Sequence, residues 1–437
     1  MSEPTISTSR PQSDPVSPLS PTTRGFRGRL SRLAIDVTPL RESPEFRRLW
    51  AGQSVTLTGT QITNVAVPVQ VYSLTHSSFA VGALGLVALF PLILSGLVGS
   101  TIVDAADRRK IALTTAVCFL LASTALVLQQ QLHWRQLWLL YLVVGIQNGL
   151  QGIDAPARRA FVPRLLPARQ VPAANALSQV SANVGMTAGP LLAGLVLATS
   201  GLGLAYLLDL LTFVASVYAL LRLRPMPPAD GGTRAGIAST LEGFRFLRGQ
   251  PIVLTTFVAD IIAMVFGMPR ALFPALAQHR FHGGGGTVGI LYSAIAAGAL
   301  IGALLGGWVA RVQRQGFTVI LAIVGWGVAI VGFGLTSSLV VAVVFLACAG
   351  AADFVSAVFR SSILQLAVPD SMQGRLQGVF IVVVAGGPRL GDAEAGVAAS
   401  IAGLEFAVVS GGLACVLGVL VVAYAVPSFL RYRVRPG

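Results

Sequence analysis

Charge is scarce in this sequence. Asp, Glu, Lys and Arg make up 11% of its 437 residues, where a soluble domain carries roughly a quarter. With 54% hydrophobic residues and a mean hydropathy of +0.75, the chain is built for lipid rather than water. Lysine is nearly missing: Lys110 is the one lysine in a Lys+Arg total of 31. Cysteine is scarce too. Cys118, Cys348 and Cys415 lie far apart in apolar runs, so neither a disulfide framework nor a zinc site is supported. No GxxxxGK[ST] loop is present, which leaves ATP-driven chemistry without a site. A GxSxG elbow is also missing, and the four histidines are scattered. No cofactor is expected.

Basic residues outnumber acids, giving a net charge of +14 and a pI of about 11.0. Such a balance can mark a nucleic-acid binder. Here the arginines sit in short loops between apolar runs, without the interleaved aromatics of a base-stacking platform. The partner they imply is the bilayer, not nucleic acid.

Twelve hydrophobic segments follow one another, near 49–73, 79–103, 111–130, 137–157, 174–198, 202–221, 252–276, 287–309, 317–336, 339–358, 376–400 and 404–426. Each has the roughly 20 residues that cross a ~30 Å hydrocarbon layer. Backbone groups in lipid must bond within their own segment, so the spans are helices. Alternating patterns are absent, which argues against strands. The expected class is an all-α polytopic membrane protein.

Alternate loops hold the arginines: Arg108 and Arg109; Arg158, Arg159, Arg164 and Arg169; Arg222 to Arg248; Arg311 and Arg314; Arg360 and Arg375. Opposite loops hold little beyond Arg135 and Arg280. The positive-inside rule then puts both termini in the cytoplasm. Residues 1–45 are rich in Ser, Thr, Pro and Arg and read as a disordered cytosolic tail without a signal peptide. A helical half over 46–221, a cytosolic loop over 222–250, a second half over 251–427 and a tail over 428–437 complete the layout. The halves repeat weakly. Gly99 to Asp104 resembles Gly306 to Arg311, and Asp154 with Arg159 matches Asp353 with Arg360 at similar offsets. Repeats of this kind are common in transporters, with the substrate held between them.

Several polar residues stand out. Asp260 lies nine residues into the seventh span, roughly 14 Å deep at 1.5 Å per residue. A carboxylate there is costly unless protonated, paired or wet, which suits a proton-coupling group as well as a fixed interhelical hydrogen bond. Asp209, in the sixth span, is a second proton candidate. Arg270, ten residues after Asp260, falls on a different helix face, and Pro269 to Pro274 should distort that helix end. Glycine and proline at Gly386 to Gly396 are expected to interrupt the eleventh span. Arg389, Asp392, Glu394 and Glu405 there could form an outer ion-pair gate or touch substrate, or the run is a long outer loop. Gln61, Asn64, Asn148 and Gln151 could line a cavity or simply make packing hydrogen bonds. Asp154 and Arg158 have the acid-first, four-residue spacing of a helical ion pair. Gly185, Gly189, Pro190 and Gly194 permit close helix approach and bending.

Two stretches carry a family resemblance. Asp104-Ala105-Ala106-Asp107-Arg108-Arg109-Lys110 resembles the helix 2–3 loop signature of the major facilitator superfamily, with Ser100 at its usual Gly and Ala105 at its usual basic position. Ala157 to Pro163, then Ala173 to Leu177, is similar to the helix 4–5 junction of the branch that holds siderophore exporters and drug-efflux proteins. Gly185 to Gly194 looks like the exporters' helix 5 Gly/Pro signature. The resemblance covers about residues 45 to 430. It implies the major facilitator fold, with twelve helices in two pseudo-symmetric halves. It also implies a plasma-membrane protein that exports a drug, natural product or siderophore by alternating access, coupled to protons, with no ATP site. Asp104 would act with Arg108, Arg109, Asp154, Arg158 and Arg159 as a cytosolic latch. A monomer is expected. Import by symport is the nearest rival reading; a membrane enzyme or a non-transporting receptor are rivals of another class.

Overall fold

The computed structural model describes residues 36–227 and 245–433, except the side chains of 97, 98, 100–105, 309, 310, 370–375, 377, 378 and 380–382. The expected tails over 1–45 and 428–437 and the loop over 222–250 extend outside the described residues. Their described parts are partly ordered. Short helices at Thr38–Glu42 and Pro427–Leu430 bury Pro39 and Phe429.

The described residues between these are almost all helical. The long helices are α1 (Pro44–Thr75), α2 (Ser78–Ala105), α3 (Arg108–Gln131), α4 (Leu137–Arg159), α5 (Val171–Thr199) and α6 (Gly201–Leu221), then α7 (Pro251–Phe266), α8 (Gly285–Leu304), α9 (Gln315–Leu335), α10 (Leu339–Ala367), α11 (Asp370–Ala402) and α12 (Leu404–Ala425). Among the described residues, nine stretches are apolar enough over sufficient length to cross a membrane. The long helices outside that set are α1, α4 and α11. Their reduced apolarity has a visible cause: they carry Gln61, Asn64, Gln147, Asn148, Arg389 and Asp392, which turn inward onto one cavity.

Side-chain caps start several helices. Ser43 and Ser77 accept from Phe46 N–H and Ala80 N–H. Asp107 starts α3 by accepting from Arg109 N–H at 2.8 Å and Lys110 N–H at 3.4 Å, and it also accepts from Met226 N–H at 3.2 Å.

Helix neighbours repeat with a shift of six. In the first set, α1 packs on α5 and α6, α2 on α4, and α3 on α4 and α6. In the second, α7 packs on α11 and α12, α8 on α10, and α9 on α10 and α12. The sets are joined mainly by α2 with α11 and α5 with α8. Lipid offers no hydrophobic drive between helices, so close approach of small residues supplies the contact. At Gly85 an added Cβ would stand 2.2 Å from Arg389 O, and at Gly289 it would stand 2.4 Å from Gly194 Cα. Both contacts lie in the half of the bundle away from the chain termini. So does the hydrogen bond of 2.8 Å between Tyr72 Oη and His279 Nε2. The bundle is closed at the end opposite the termini.

One sequence expectation is corrected and another is met. The eleventh span is not interrupted: α11 runs unbroken from Asp370 to Ala402 with Pro388 inside it. Its glycines serve packing instead. An added Cβ at Gly391 would stand 2.2 Å from Met264 O of α7, and one at Gly396 would stand 2.8 Å from Ser78 O of α2. The seventh span does break, as its prolines suggest. It stops at Phe266 and continues as a 3-10 turn (Arg270–Leu272) and a short helix (Phe273–His279). Trp326 of α9 pins the break by donating to Gly267 O at 2.9 Å.

Candidate functional site: a cavity between the two helix sets

A cavity of about 220 Å³ lies between the helix sets. Gln61, Thr63 and Asn64 of α1, Gln147 and Asn148 of α4, and Arg389 and Asp392 of α11 face it, with Arg270 and Tyr292. Apolar walls come from residues such as Val65, Val67, Leu84 and Val144. The break after α7 delivers Arg270: the turn points the residue inward, and its carbonyl accepts from Tyr292 Oη at 3.3 Å. The Arg389 guanidinium reaches back one turn and donates to Ala385 O at 2.6 Å. Its other arm donates to Asn148 Oδ1 at 2.5 Å, joining α11 to α4 across the two sets.

The acids expected to handle protons lie elsewhere. Asp260 is 4% exposed and ion-paired with Arg360 of α10. Asp353, two turns earlier on the same face of α10, stands 3.8 Å from the same guanidinium. A separate small void borders this cluster, lined by Thr256, Asp260, Arg360 and Ser361 among others. The midplane carboxylate of the sequence reading is therefore neither stranded nor in the central cavity, because α10 brings a cation to meet it. Arg270 makes no ion pair with Asp260; it lies beyond the break, in the turn that lines the central cavity. Asp209 is 1% exposed and accepts from Ser123 Oγ at 2.6 Å. Its other carboxylate oxygen is buried without a partner.

The remaining candidates divide by location. Gln61, Asn64 and Asn148 line the cavity, whereas Gln151 is exposed outside its lining. Glu405 pairs at 3.9 Å with Arg280, not with Arg389, and sits at the closed end. Glu394 is half-buried on α11. Among the described residues no ion pair joins Arg389, Asp392, Glu394 and Glu405: Arg389 and Asp392 face the cavity, and Glu405 lies on α12 beside Arg280.

At the terminal end, Asp154 Oδ2 binds Arg158 Nε at 2.5 Å and its Oδ1 accepts from Thr115 Oγ1 at 2.7 Å. Arg158 also donates to Ser216 Oγ at 3.3 Å. Arg109 donates to Leu220 O and Leu221 O, capping the end of α6. Arg159 is exposed. Arg108 donates its backbone N–H to Met226 O, and the side chain of Asp104 lies outside the described residues. Gly185 and Gly189 abut Leu57 and Gln61 of α1, while Gly194 and Pro190 meet Gly289 of α8.

Sequence reasoning passed over Thr63, Gln147 and Tyr292 in the cavity; it saw Asp353 as a repeat marker and Arg360 as a repeat marker and loop arginine, whereas Arg360 lies within α10 and pairs with Asp260. The two charged residues could have been found by asking which cation meets Asp260. Tyr292 carries no such signal, since an aromatic in an apolar run is ordinary.

Comparison with known proteins gives this bundle its place. A family model described as transmembrane secretion effector matches residues 34–431. The enterobactin exporter EntS of Shigella boydii serotype 18 is 29% identical over 404 residues, covering 92% of this chain and 96% of its own. The EntS of Escherichia coli O1:K1 matches equally. Among solved structures, a bacterial homologue of the human lysosomal transporter Spinster, inward-facing and unoccupied, superposes with a TM-score of 0.71 at 16% identity, covering 90% of this chain and 98% of its own. A bacterial homologue of the iron transporter ferroportin, also inward-facing, gives 0.65 at 15% identity, covering 88% and 98%. The chain is thus a multi-pass membrane transporter rather than an enzyme, and it belongs to the transmembrane secretion effector family of major facilitator transporters.

Proposed function

We propose that this chain is a proton-coupled exporter of small organic molecules, monomeric in the plasma membrane with both termini in the cytoplasm. One observation carries the reading. Small-residue contacts close the bundle at the end away from the termini, and a polar-and-apolar cavity sits just beneath that closure. That is the arrangement an inward-facing exporter needs: loading from the terminal end, release after the closure parts. Arg108, Arg109, Arg158, Arg159, Arg164 and Arg224 gather at the terminal end, which supports a cytoplasmic placement for it. The curated relatives named as enterobactin exporters support export of a natural product of siderophore type.

For coupling, the Asp260 cluster is the favoured proton site. Two carboxylates, Asp260 and Asp353, share one guanidinium, Arg360. One proton makes the cluster neutral, so it can load and unload as α7 and α10 move. Coupling requires only that proton and substrate each prefer a different state of the bundle. Asp209, with its unpartnered buried oxygen, is the second candidate.

The test is transport in proteoliposomes under an imposed pH gradient, with a panel of fluorescent substrates. The wild type should drive flux with the gradient and stop when it collapses. Asp260→Asn should bind substrate yet lose the gradient dependence. Flux indifferent to the gradient removes proton coupling; a normal pH response in Asp260→Asn moves the site elsewhere.

A further inference from the structure

The charges around the central cavity do not cancel. Arg270, Arg389 and Asp392 are the charged side chains that line it. Among the described residues, none of the three makes an ion pair within 4.0 Å. Three other arginines on or beside the spans behave differently. Arg158 pairs with Asp154, Arg280 with Glu405, and Arg360 with Asp260. Arg389 instead spends its two terminal nitrogens on neutral acceptors, Ala385 O and Asn148 Oδ1. Its Nε is buried with no partner, and so is Asp392 Oδ1. Leaving a buried guanidinium without an ionic partner is expensive, and an anion that pairs with it offsets the cost.

We propose that this cavity selects an organic anion: a one- or two-ring apolar body bearing a single carboxylate or similarly acidic group. Arg389 and Arg270 are its binding residues, and Asp392 is a built-in counter-ion that holds the cavity at one net positive charge. A guanidinium fork matches a carboxylate in plane, which an ammonium does not. The apolar walls and Tyr292 take the ring. Because Arg389 already reaches Asn148 on α4, an anion on that guanidinium touches both helix sets at once. A cation of the same size would face two guanidiniums against one carboxylate. The inference deepens the export reading by naming its substrate class, but the site itself needs neither a gradient nor a direction.

Calorimetric titration of the full-length protein in detergent tests it, with 1-naphthoate, 1-naphthamide and 1-naphthylmethylammonium as probes of equal size and different charge. Naphthoate should bind about 10-fold tighter than the amide, a difference of ~1.4 kcal/mol, and the ammonium should bind weakest. Arg389→Gln should abolish the carboxylate preference, bringing naphthoate to the affinity of the amide. Arg389→Lys, which keeps the charge, should retain part of the preference and shows that the fold survives. Asp392→Asn should tighten naphthoate several-fold, whereas a purely structural role for Asp392 would weaken all three probes together. The proposal is overturned by equal binding of carboxylate and amide, by no carboxylate binding, by tightest binding of the ammonium, or by a naphthoate affinity that Asp392→Asn leaves unchanged or weakens. A carboxylate preference without naphthoate flux in vesicles would count against export and leave the anion site standing.

Discussion

At the scale of single residues, the ion pairs of this protein sort structural charge from working charge. Asp154 and Arg158 are 13% and 12% exposed, and Thr115 and Ser216 complete their hydrogen bonds. Removing one partner of such a pair strands the other, at a cost of about 3–5 kcal/mol where burial is complete. Asp154→Ala should therefore lower the thermal midpoint of the detergent-purified protein markedly. Arg159→Ala, one residue beyond and exposed, should leave the midpoint unchanged. Equal effects of the two substitutions would remove the pair from its structural role. The sequence showed this pair because both members lie on one helix, four residues apart. It could not show Asp260 with Arg360, which are a hundred residues apart and meet only through the register of α7 against α10. A lone acid in an apolar run tells of a need for a partner, not of its address.

Helices carry the next level of the account. Glycine and proline in the eleventh span looked like a break, because the same residues end helices in water. In a bundle without hydrophobic drive they act differently: Gly391 and Gly396 let α7 and α2 come within backbone contact of α11, while neighbours supply what Pro388 lacks. The break after α7 was legible, since two prolines in six residues leave few alternatives. Asp107 was hidden in the charged loop beside Asp104. It caps α3 and also ties Met226, so Asp107→Ala should cost about 0.5–2 kcal/mol, read as a lower thermal midpoint. Closure at the far end rests in part on α5 against α8. Gly289→Val would drive side-chain atoms into Gly194, since even a Cβ would stand 2.4 Å from its Cα. Spin labels at Ser200 and His282, both exposed, should move to longer distances in that variant. An unchanged distance distribution would mean that the contact does not govern closure.

At the scale of the whole molecule, twelve apolar runs and alternating arginine loops were enough to place the helices, because lipid thickness sets length and backbone satisfaction sets type. The sixfold shift in helix neighbours was only hinted at by the short repeats near Asp104 and Asp154. Which polar residues share a cavity was not legible at all. Gln61, Asn148, Arg270 and Asp392 come from four parts of the chain and converge through packing of small residues. The account then needs the closed end to open in every cycle. Ala198 of α5 and Gly286 of α8 offer a direct lock, since a Cβ added at Gly286 would stand 3.4 Å from Ala198 Cβ, close to the separation a disulfide spans. The decisive measurement is flux in proteoliposomes by Ala198→Cys/Gly286→Cys, with Cys118, Cys348 and Cys415 replaced by alanine. Oxidation should stop transport and reduction should restore it. An oxidised, fully cross-linked protein that transports at the reduced rate would contradict alternating access around this cavity.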